Sequence, residues 1–292
     1  KRVEDERGNL FLSIINLVKQ LDSAHKKPRV LFLENVKNLK NHDEGRTYKV
    51  IRSEIEKLGY TVKEQILNTM DYSCLPQNRE RIYIICFLNK EDANSFWMFD
   101  NIKNFKIHHT IKDRENQIKK IVDYCDKVSD KYYYTKSKYP NYFLSTDDYE
   151  KIPEKDRNNV RVNLEEQVNE LYQFYQVRRG MYVRKNKSNV CPTLTANMGT
   201  GGHNVPLVKN HRGVRKLTPA ETLRLQGFPV GSGFKMPERF KGRPFADSYL
   251  YKQAGNAVSV PVIELIATEL LSILAKNDEN KKMSGSLICE SD

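Results

Sequence analysis

The sequence predicts an α/β protein with a doubly wound sheet, because amphipathic helices alternate with short apolar strands over residues 1–100. Residues 9–22 carry apolar side chains at helical spacing, and residues 47–58 do so again. Two continuous apolar runs, residues 29–33 and 81–88, are typical of parallel strands that are covered on both faces. We therefore expect both runs to be buried strands of one sheet.

The composition changes after residue 100. Residues 101–190 are rich in Lys, Asn, Asp and Tyr and have weak periodicity, whereas Gly and Pro interrupt residues 191–248 often. This punctuation indicates turns and short strands. Residues 259–275 are again helical by pattern, and the polar tail, residues 278–292, is expected to be disordered.

The charge balance favours a polyanionic partner. Lys and Arg total 49 against 37 Asp and Glu in 292 residues, a formal net charge of +12. Nucleic acid is the leading candidate, although a basic surface that serves solubility alone would give the same count.

The five cysteines are widely spaced, with no Cys-x-x-Cys and no His at ligand spacing, so the sequence indicates neither a disulfide framework nor a metal site. The first residues are charged with both signs, and Glu264 and Glu269 interrupt the most apolar stretch. We therefore expect no signal peptide and no membrane partner.

The stretch "LFLENVKNL" places Glu34 at the end of an apolar run. Ligands of open α/β sheets bind beyond the carboxyl ends of the strands, so this position suits catalysis. The alternative is a helix N-cap, or a loop carboxylate paired with a nearby Lys.

A second candidate is "PQNRERIYII", residues 76–85, in which strand periodicity places Arg79 and Arg81 on one face. Two guanidinium groups entering a strand together can hold phosphates or stabilise an oxyanion. The alternative is that Glu34 neutralises one arginine and the other is exposed.

Two more segments carry helix-boundary signals. Thr218 before Pro219 and Glu221 predicts a capped helix start. Gly255 and Asn256 are expected to open the final helix, where backbone amides could bind a carboxylate or phosphate; a plain loop-to-helix junction explains them equally well.

Taken in order, these stretches resemble the cytosine-5 DNA methyltransferases. "DERGNLF" (5–11) is similar to the segment after that family's catalytic loop, "LENV" (33–36) to its glutamate motif and "QNRER" (77–81) to its arginine motif. The helix motif from Thr218 to Pro229 and "GNAV" (255–258) follow in family order.

The resemblance implies a Rossmann-like methyltransferase domain, residues 1–100 and 250–277, with an inserted, smaller and mostly β target-recognition domain, residues 101–249. It implies methyl transfer from S-adenosylmethionine to carbon 5 of a flipped-out cytosine in duplex DNA. The catalytic residues would be Glu34, which binds ring nitrogen 3 and the exocyclic amine, Arg81, which contacts the 2-oxo group, and Arg79 nearby.

The resemblance also implies binding residues. Leu10, Asn256 and Ala257 would lie near the cofactor. The expected DNA contacts are Arg7, Arg178, Arg179, Arg184, Lys185 and Thr193. For the basic strip around residue 184, a solvated hairpin is the alternative.

The family's Gly-rich cofactor strand and Pro-Cys nucleophile loop precede the segment matched by "DERGNLF", so we expect the chain to lack both. Cys74 and Cys191 match no family nucleophile. The thiolate would then come from a missing amino-terminal part or a complementary subunit; alternatively the chain is a DNA-binding module without activity.

A transfer-RNA cytosine methyltransferase on the same scaffold is a further alternative. The resemblance implies a cytoplasmic, bacterial protein acting on DNA, with a restriction endonuclease as a functional partner.

Overall fold

The structure, a computed structural model, describes residues 6–124, 127–157, 162–178, 182–199 and 205–288, with side chains from Leu10 to Met283 within those ranges. Arg179 therefore lies outside the described residues, and only the backbone of Arg7 is described. The chain divides into two compact units. Unit 1 comprises Lys1–Asn68, Glu80–Lys106 and Ile263–Asp292, and unit 2 comprises Thr69–Arg79 and Ile107–Val262.

The helices and strands follow in chain order. The first half contains α1 (Glu6–Ser23), β1 (Val30–Val36), α2 (Arg46–Lys57), β2 (Thr61–Asn68), α3 (Thr69–Tyr72), β3 (Glu80–Phe87), α4 (Lys90–Ser95), α5 (Ile111–Ile121) and α6 (Thr146–Lys151). The second half contains α7 (Leu164–Gln167), β4 (Tyr175–Arg178), β5 (Tyr182–Lys185), β6 (Leu207–Asn210), β7 (Gly213–Lys216), α8 (Pro219–Arg224), β8 (Arg239–Phe240), β9 (Arg243–Pro244), α9 (Asp247–Asn256) and α10 (Val260–Ile288). The helices predicted at 9–22 and 47–58 are confirmed as α1 and α2.

The sheet of unit 1 has the strand order β1-β3-β2, and β3 pairs antiparallel with both neighbours. The expectation of parallel pairing for the two apolar runs was therefore wrong. An apolar run reports burial but not strand direction, because antiparallel strands in the middle of a sheet are also covered on both faces. The central strand β3 is buried from Ile82 to Phe87, whereas β1 buries only Leu31.

One face of this sheet packs against α1 and α2. Ile82, Ile84 and Cys86 of β3 share a core cluster with Ile15 of α1 and Ile55 of α2. The spacing of these strand residues by two and the helical spacing of their partners explain why the two apolar periodicities of the sequence meet here.

The opposite face of the sheet carries aromatic side chains. The ring of Phe87 lies 5.5 Å from that of Phe96, and the ring of Phe32 lies 6.4 Å from that of Tyr83. Helix α4, which follows β3, begins at an N-cap formed by the Asn89 side chain. The polar residues Glu34 and Arg81 lie on this aromatic face, at the end of the sheet where β1 finishes.

The sheet of unit 2 has the strand order β5-β4-β6-β7 with antiparallel pairing. It confirms the short strands predicted after residue 100. A core cluster that includes Phe174, Leu194, Val208, Leu223 and Tyr251 joins the sheet to α8 and α9.

The capped helix predicted at Thr218 is α8. The Thr218 hydroxyl accepts from the Glu221 amide, the Glu221 carboxylate accepts from the Thr218 amide, and Pro219 occupies the first turn. Glu221 also forms a fully buried ion pair with Arg215, with 2.7 Å between Oε1 and Nη2. Burial lowers the pKa of Arg215, but the hydrogen bonds and negative charge of Glu221 outweigh it and leave that pKa above its usual value.

Helix α10 extends into the segment whose composition predicts disorder. Helix α10 continues to Ile288, whereas disorder was expected from residue 278. Asn277 donates to Asp92, and Asp278 accepts two hydrogen bonds from Arg29. These polar contacts anchor a segment that has few apolar residues.

Within the described residues, one stretch, Asp247–Met283, is long and apolar enough to cross a membrane by length and composition. A core helix of a folded domain meets the same criteria, so the stretch alone assigns no membrane.

Candidate functional site

Glu34 and Arg81 form an ion pair on adjacent strands of unit 1. In the β1-β3 ladder Glu34 lies opposite Tyr83, and Arg81 lies opposite Val36, so the two charged residues are diagonal neighbours on one face. Long side chains span such diagonals. The Arg81 Nε lies 3.0 Å from the Glu34 Oε1, and the side chains are 12% and 22% exposed, respectively.

The environment of this pair is partly desolvated. Burial lowers the pKa of Arg81 below its usual value, while the Glu34 carboxylate acts in the opposite direction. Arg81 also donates from Nη1 to the carbonyl oxygen of Glu80 at 2.8 Å. A carboxylate accepts hydrogen bonds and a guanidinium donates them, so the pair offers an acceptor beside a donor to a planar polar ligand.

Arg79 lies in unit 2 and binds backbone carbonyl groups there. It precedes β3 and is 2% exposed in unit 2. Its guanidinium donates to the carbonyl oxygens of Leu194 (3.0 Å), Gly255 (3.2 Å) and Ala257 (2.6 Å). The two arginines therefore do not enter the strand side by side, as strand periodicity had suggested, since β3 begins only at Glu80. The ion-pair alternative holds for Arg81, whereas Arg79 is buried rather than exposed.

The segment Gly255–Ala257 ends a helix instead of opening one. Gly255 and Asn256 are the last residues of α9, and α10 begins at Val260. The expectation of an anion site formed by helix amides was therefore wrong for these residues, because carbonyl groups are left without helical partners at a helix C-terminus. Arg79 binds two of the carbonyls at this junction.

A cavity of about 450 Å³ opens beside the end of α9. It is lined by Phe245, Tyr249, Lys252, Gln253, Asn256 and Ala257. Polar side chains and aromatic rings together suit a small ligand with a charged head group and a ring. Lys252 and Gln253 were not identified from the sequence; their positions four and three residues before Asn256 place them on its helical face, a signal that could have found them.

Leu10, the other expected cofactor contact, lies on α1 in unit 1. It is 68% exposed.

The expected DNA contacts lie in unit 2, apart from Arg7. Arg178 and Arg184 are exposed on the paired strands β4 and β5. Lys185 is exposed and forms an ion pair with Glu170. Thr193 donates from its hydroxyl to the carbonyl oxygen of Asn78 at 2.6 Å. The strip thus contains a strand pair at one edge of the sheet, which is compatible with both the expected DNA contact and the solvated-hairpin alternative.

Gln77 connects further parts of unit 2 and was missed by the sequence reasoning. Its Nε2 donates to the carbonyl oxygen of Leu225 at 2.7 Å, and Gln226 donates in turn to the carbonyl oxygen of Ala254 at 2.7 Å. An amide side chain inside a motif carries no periodicity signal, so only the fold identifies this link.

The described free cysteines are Cys74, Cys86 and Cys191. Burial raises the pKa of Cys86 to about 12 and holds that of Cys191 well above its usual value. Cys74 is exposed and free. Within the described ranges no group of three or more His, Cys, Asp or Glu residues could hold a metal ion.

Comparison with known proteins shows the family to which the chain belongs. A family model described as C-5 cytosine-specific DNA methylase matches residues 1–272. The Type II methyltransferase M.Bsp6I of Bacillus sp. (strain RFL6) is 45% identical over 271 residues, covering 92% of this chain and 72% of that protein. The Type II methyltransferase M1.ScrFI of Lactococcus lactis subsp. cremoris is 31% identical over 277 residues, covering 94% of this chain and 58% of that protein.

A solved structure has a similar fold. A DNMT2 variant from Spodoptera frugiperda superposes with a TM-score of 0.55 at 16% identity, covering 89% of this chain and 71% of that one.

Proposed function

Because the chain belongs to the C-5 cytosine-specific DNA methylase family, we propose that it acts in methyl transfer from S-adenosylmethionine to carbon 5 of a flipped-out cytosine in duplex DNA. The observation that carries the proposal is the ion pair between Glu34 and Arg81, with its acceptor and donor groups on one face of the sheet.

In this proposal Glu34 and Arg81 bind the edge of the cytosine ring. The Glu34 carboxylate accepts hydrogen bonds from the exocyclic amine and from protonated ring nitrogen 3, and Arg81 donates to the 2-oxo group. A neutral cytosine resists nucleophilic addition at carbon 6 because the ring must take up negative charge. Holding a proton at nitrogen 3 and a cation at the 2-oxo group stabilises that charge.

Arg79 is proposed to act indirectly, by holding backbone segments in place and not by contacting the substrate. Its hydrogen bonds to Leu194, Gly255 and Ala257 hold the end of α9 against the segment that contains Thr193. We propose that this clamp keeps Asn256 and Ala257 at the wall of the cavity, and that Arg79 is a positioning residue.

S-adenosylmethionine would supply the methyl group as an electrophile. The cavity beside Asn256 and Ala257 would receive its amino-acid end, whose carboxylate the Lys252 ammonium and the side-chain amides of Gln253 and Asn256 would bind.

The family's nucleophile loop, with its Pro-Cys pair, has no match in the 292 residues. We propose that another polypeptide segment, joined or separate, provides this thiol together with the Gly-rich cofactor strand. Within the larger assembly the chain would contribute a Rossmann-like part and an inserted recognition part. The whole would act in the bacterial cytoplasm beside a restriction endonuclease.

Methyl transfer assays test the proposal. The chain, completed with an amino-terminal segment that carries the Pro-Cys loop, is mixed with labelled S-adenosylmethionine and either duplex DNA or transfer RNA. We expect label in 5-methylcytosine of duplex DNA. Label in transfer RNA alone would show that the substrate is transfer RNA and not duplex DNA. Sequence-specific DNA binding without any methyl transfer would show that the chain is a DNA-binding module only.

A further inference from the structure

A short exposed hairpin precedes α9 in unit 2. Strands β8 and β9 pair antiparallel, with Arg239 opposite Pro244 and Phe240 opposite Arg243. The amide of Phe245 donates to the carbonyl oxygen of Glu238 at 2.8 Å and closes the base. We call residues 238–245 the basic hairpin.

The tip of the basic hairpin is a two-residue turn with an unfavourable residue. Lys241 and Gly242 have φ values of 49° and 77°. Tight hairpin turns with two positive φ values favour Asn or Asp followed by Gly, because a lysine in the left-handed region is strained. A strained lysine at a solvent-exposed tip suggests that its charge has a use there.

The charges and the aromatic ring of the basic hairpin are arranged together. Phe240 is 63% exposed, its ring centroid lies 5.5 Å from the Lys241 Nζ, and its cross-strand partner is Arg243. An exposed ring is thus flanked by two cations on one face of the hairpin.

The cations of the basic hairpin lack acidic partners within the part of the chain that the structure describes. Arg239, Lys241 and Arg243 form no ion pair there, and Glu238 is the single acidic residue of the hairpin. By contrast, Lys185 and Arg212 in the same unit are paired with Glu170 and Asp130, respectively.

We propose that the basic hairpin is a second DNA-binding element, separate from the strip around Arg184. It binds the phosphate backbone of the duplex. Lys241 and Arg243 contact phosphates, and Phe240 packs against sugar or base surface between them. The inference rests on the proposed DNA substrate. Charge complementarity supports this occupant, since the hairpin adds unpaired cations to a chain whose net charge is +12.

The test measures how salt changes the affinity of the complete protein for a DNA duplex. Lys241→Asn/Arg243→Gln removes two phosphate contacts, so the slope of log affinity against log salt should become shallower by about two. Asn also suits the positive φ of the turn, so the variant should fold. Lys112→Gln/Lys120→Gln removes the same charge from exposed positions of α5 and is expected to leave the slope unchanged.

Equal changes of slope in both double variants would show a general charge effect and overturn the proposal, as would an unchanged slope in the hairpin variant. Phe240→Ala should weaken binding at least about fivefold with the slope retained. Tighter hairpin-dependent binding to anionic phospholipid vesicles than to duplex DNA would also overturn it. Hairpin-dependent DNA binding without methyl transfer would contradict the proposed reaction but support the hairpin as a DNA-binding element.

Discussion

Arg79 and Ala257 are joined by a hydrogen bond of 2.6 Å from the guanidinium Nη2 to the carbonyl oxygen. The arginine is buried, and its three carbonyl acceptors come from two different segments of unit 2. It satisfies the carbonyl groups that α9 leaves unpaired at its end. The finding favours a positioning role for an arginine that family resemblance had placed in the catalytic set.

Replacing Arg79 by Lys should destabilise the protein by about 2–3 kcal/mol, because one ammonium cannot replace the fork that reaches all three carbonyls. Urea unfolding measures the loss. If Arg79 positions the cavity wall, KM for S-adenosylmethionine should rise more than kcat falls. Arg178→Lys is the matched control, since Arg178 is exposed, and it should change stability by less than about 0.5 kcal/mol. A fall in kcat alone for Arg79→Lys would favour direct catalysis instead.

Gly255 lets the end of α9 lie close to the backbone of Thr195 and Ala196, because it has no side chain. A Cβ at this position would lie 2.2 Å from the carbonyl carbon of Thr195 and 2.4 Å from the amide nitrogen of Ala196, both backbone atoms. Gly255→Ala should therefore destabilise by about 3 kcal/mol, measured by thermal unfolding. Gly231→Ala is the comparison, because Gly231 has a positive φ but nothing within 4 Å, and about 1 kcal/mol is expected there. Equal losses would mean that close packing at Gly255 is unimportant.

Asp92 should make the free energy of unfolding depend on pH in the acid range. Hydrogen bonds from Arg29, with a further one from Asn277, hold the pKa of this carboxyl below its usual value. A lowered folded-state pKa adds stability that is present above the unfolded pKa and is lost as pH falls through the folded value. Asp92→Asn should thus reduce the free energy of unfolding by about 2 kcal/mol at pH 7.

The difference between Asp92→Asn and the parent should shrink below about pH 4. Urea titrations at several pH values measure it. Asp100→Asn, which removes an exposed ion pair with Lys63, should cost less than about 1 kcal/mol. A difference for Asp92→Asn that stays constant down to acid pH would contradict the charge-based explanation.

Arg184 and Lys185 are expected to differ in their effect on DNA binding. Arg184→Ala should make the salt dependence shallower by about one phosphate contact and leave the chemical step unchanged. Lys185→Ala should have a smaller effect, because the neighbouring Glu170 already neutralises part of its charge. Salt-dependent binding isotherms distinguish the two. A larger effect for Lys185 would show that the ion pair with Glu170 breaks when DNA binds.

The sequence predicted local structure well where the signal is local. Apolar spacing located α1 and α2, and the Thr218 capping box located the start of α8, because each of these depends on residues within one or two helical turns. The end of α9 was misassigned because a Gly-Asn pair can precede a helix or end one.

Contacts between residues that are distant in the sequence were harder to predict. Strand direction depends on connections that an apolar run does not encode, so the antiparallel pairing of β1 with β3 was missed. Two expectations placed Glu34 near Arg81: the residue-based alternative, in which Glu34 neutralises one arginine, and the family resemblance. The β1-β3 ladder supplies the physical basis for their proximity. The buried partner of Glu221, Arg215, could not be inferred, since Arg215 sits in a strand whose register sets the contact.

The most direct test of the account is the rate of methyl transfer by Glu34→Gln in the completed enzyme. The amide keeps the size of the side chain but loses the charge that favours a proton at ring nitrogen 3. The transfer rate should therefore fall roughly a hundredfold or more, with DNA affinity nearly unchanged. A rate equal to that of the parent enzyme would contradict the role assigned to Glu34 and its ion pair with Arg81.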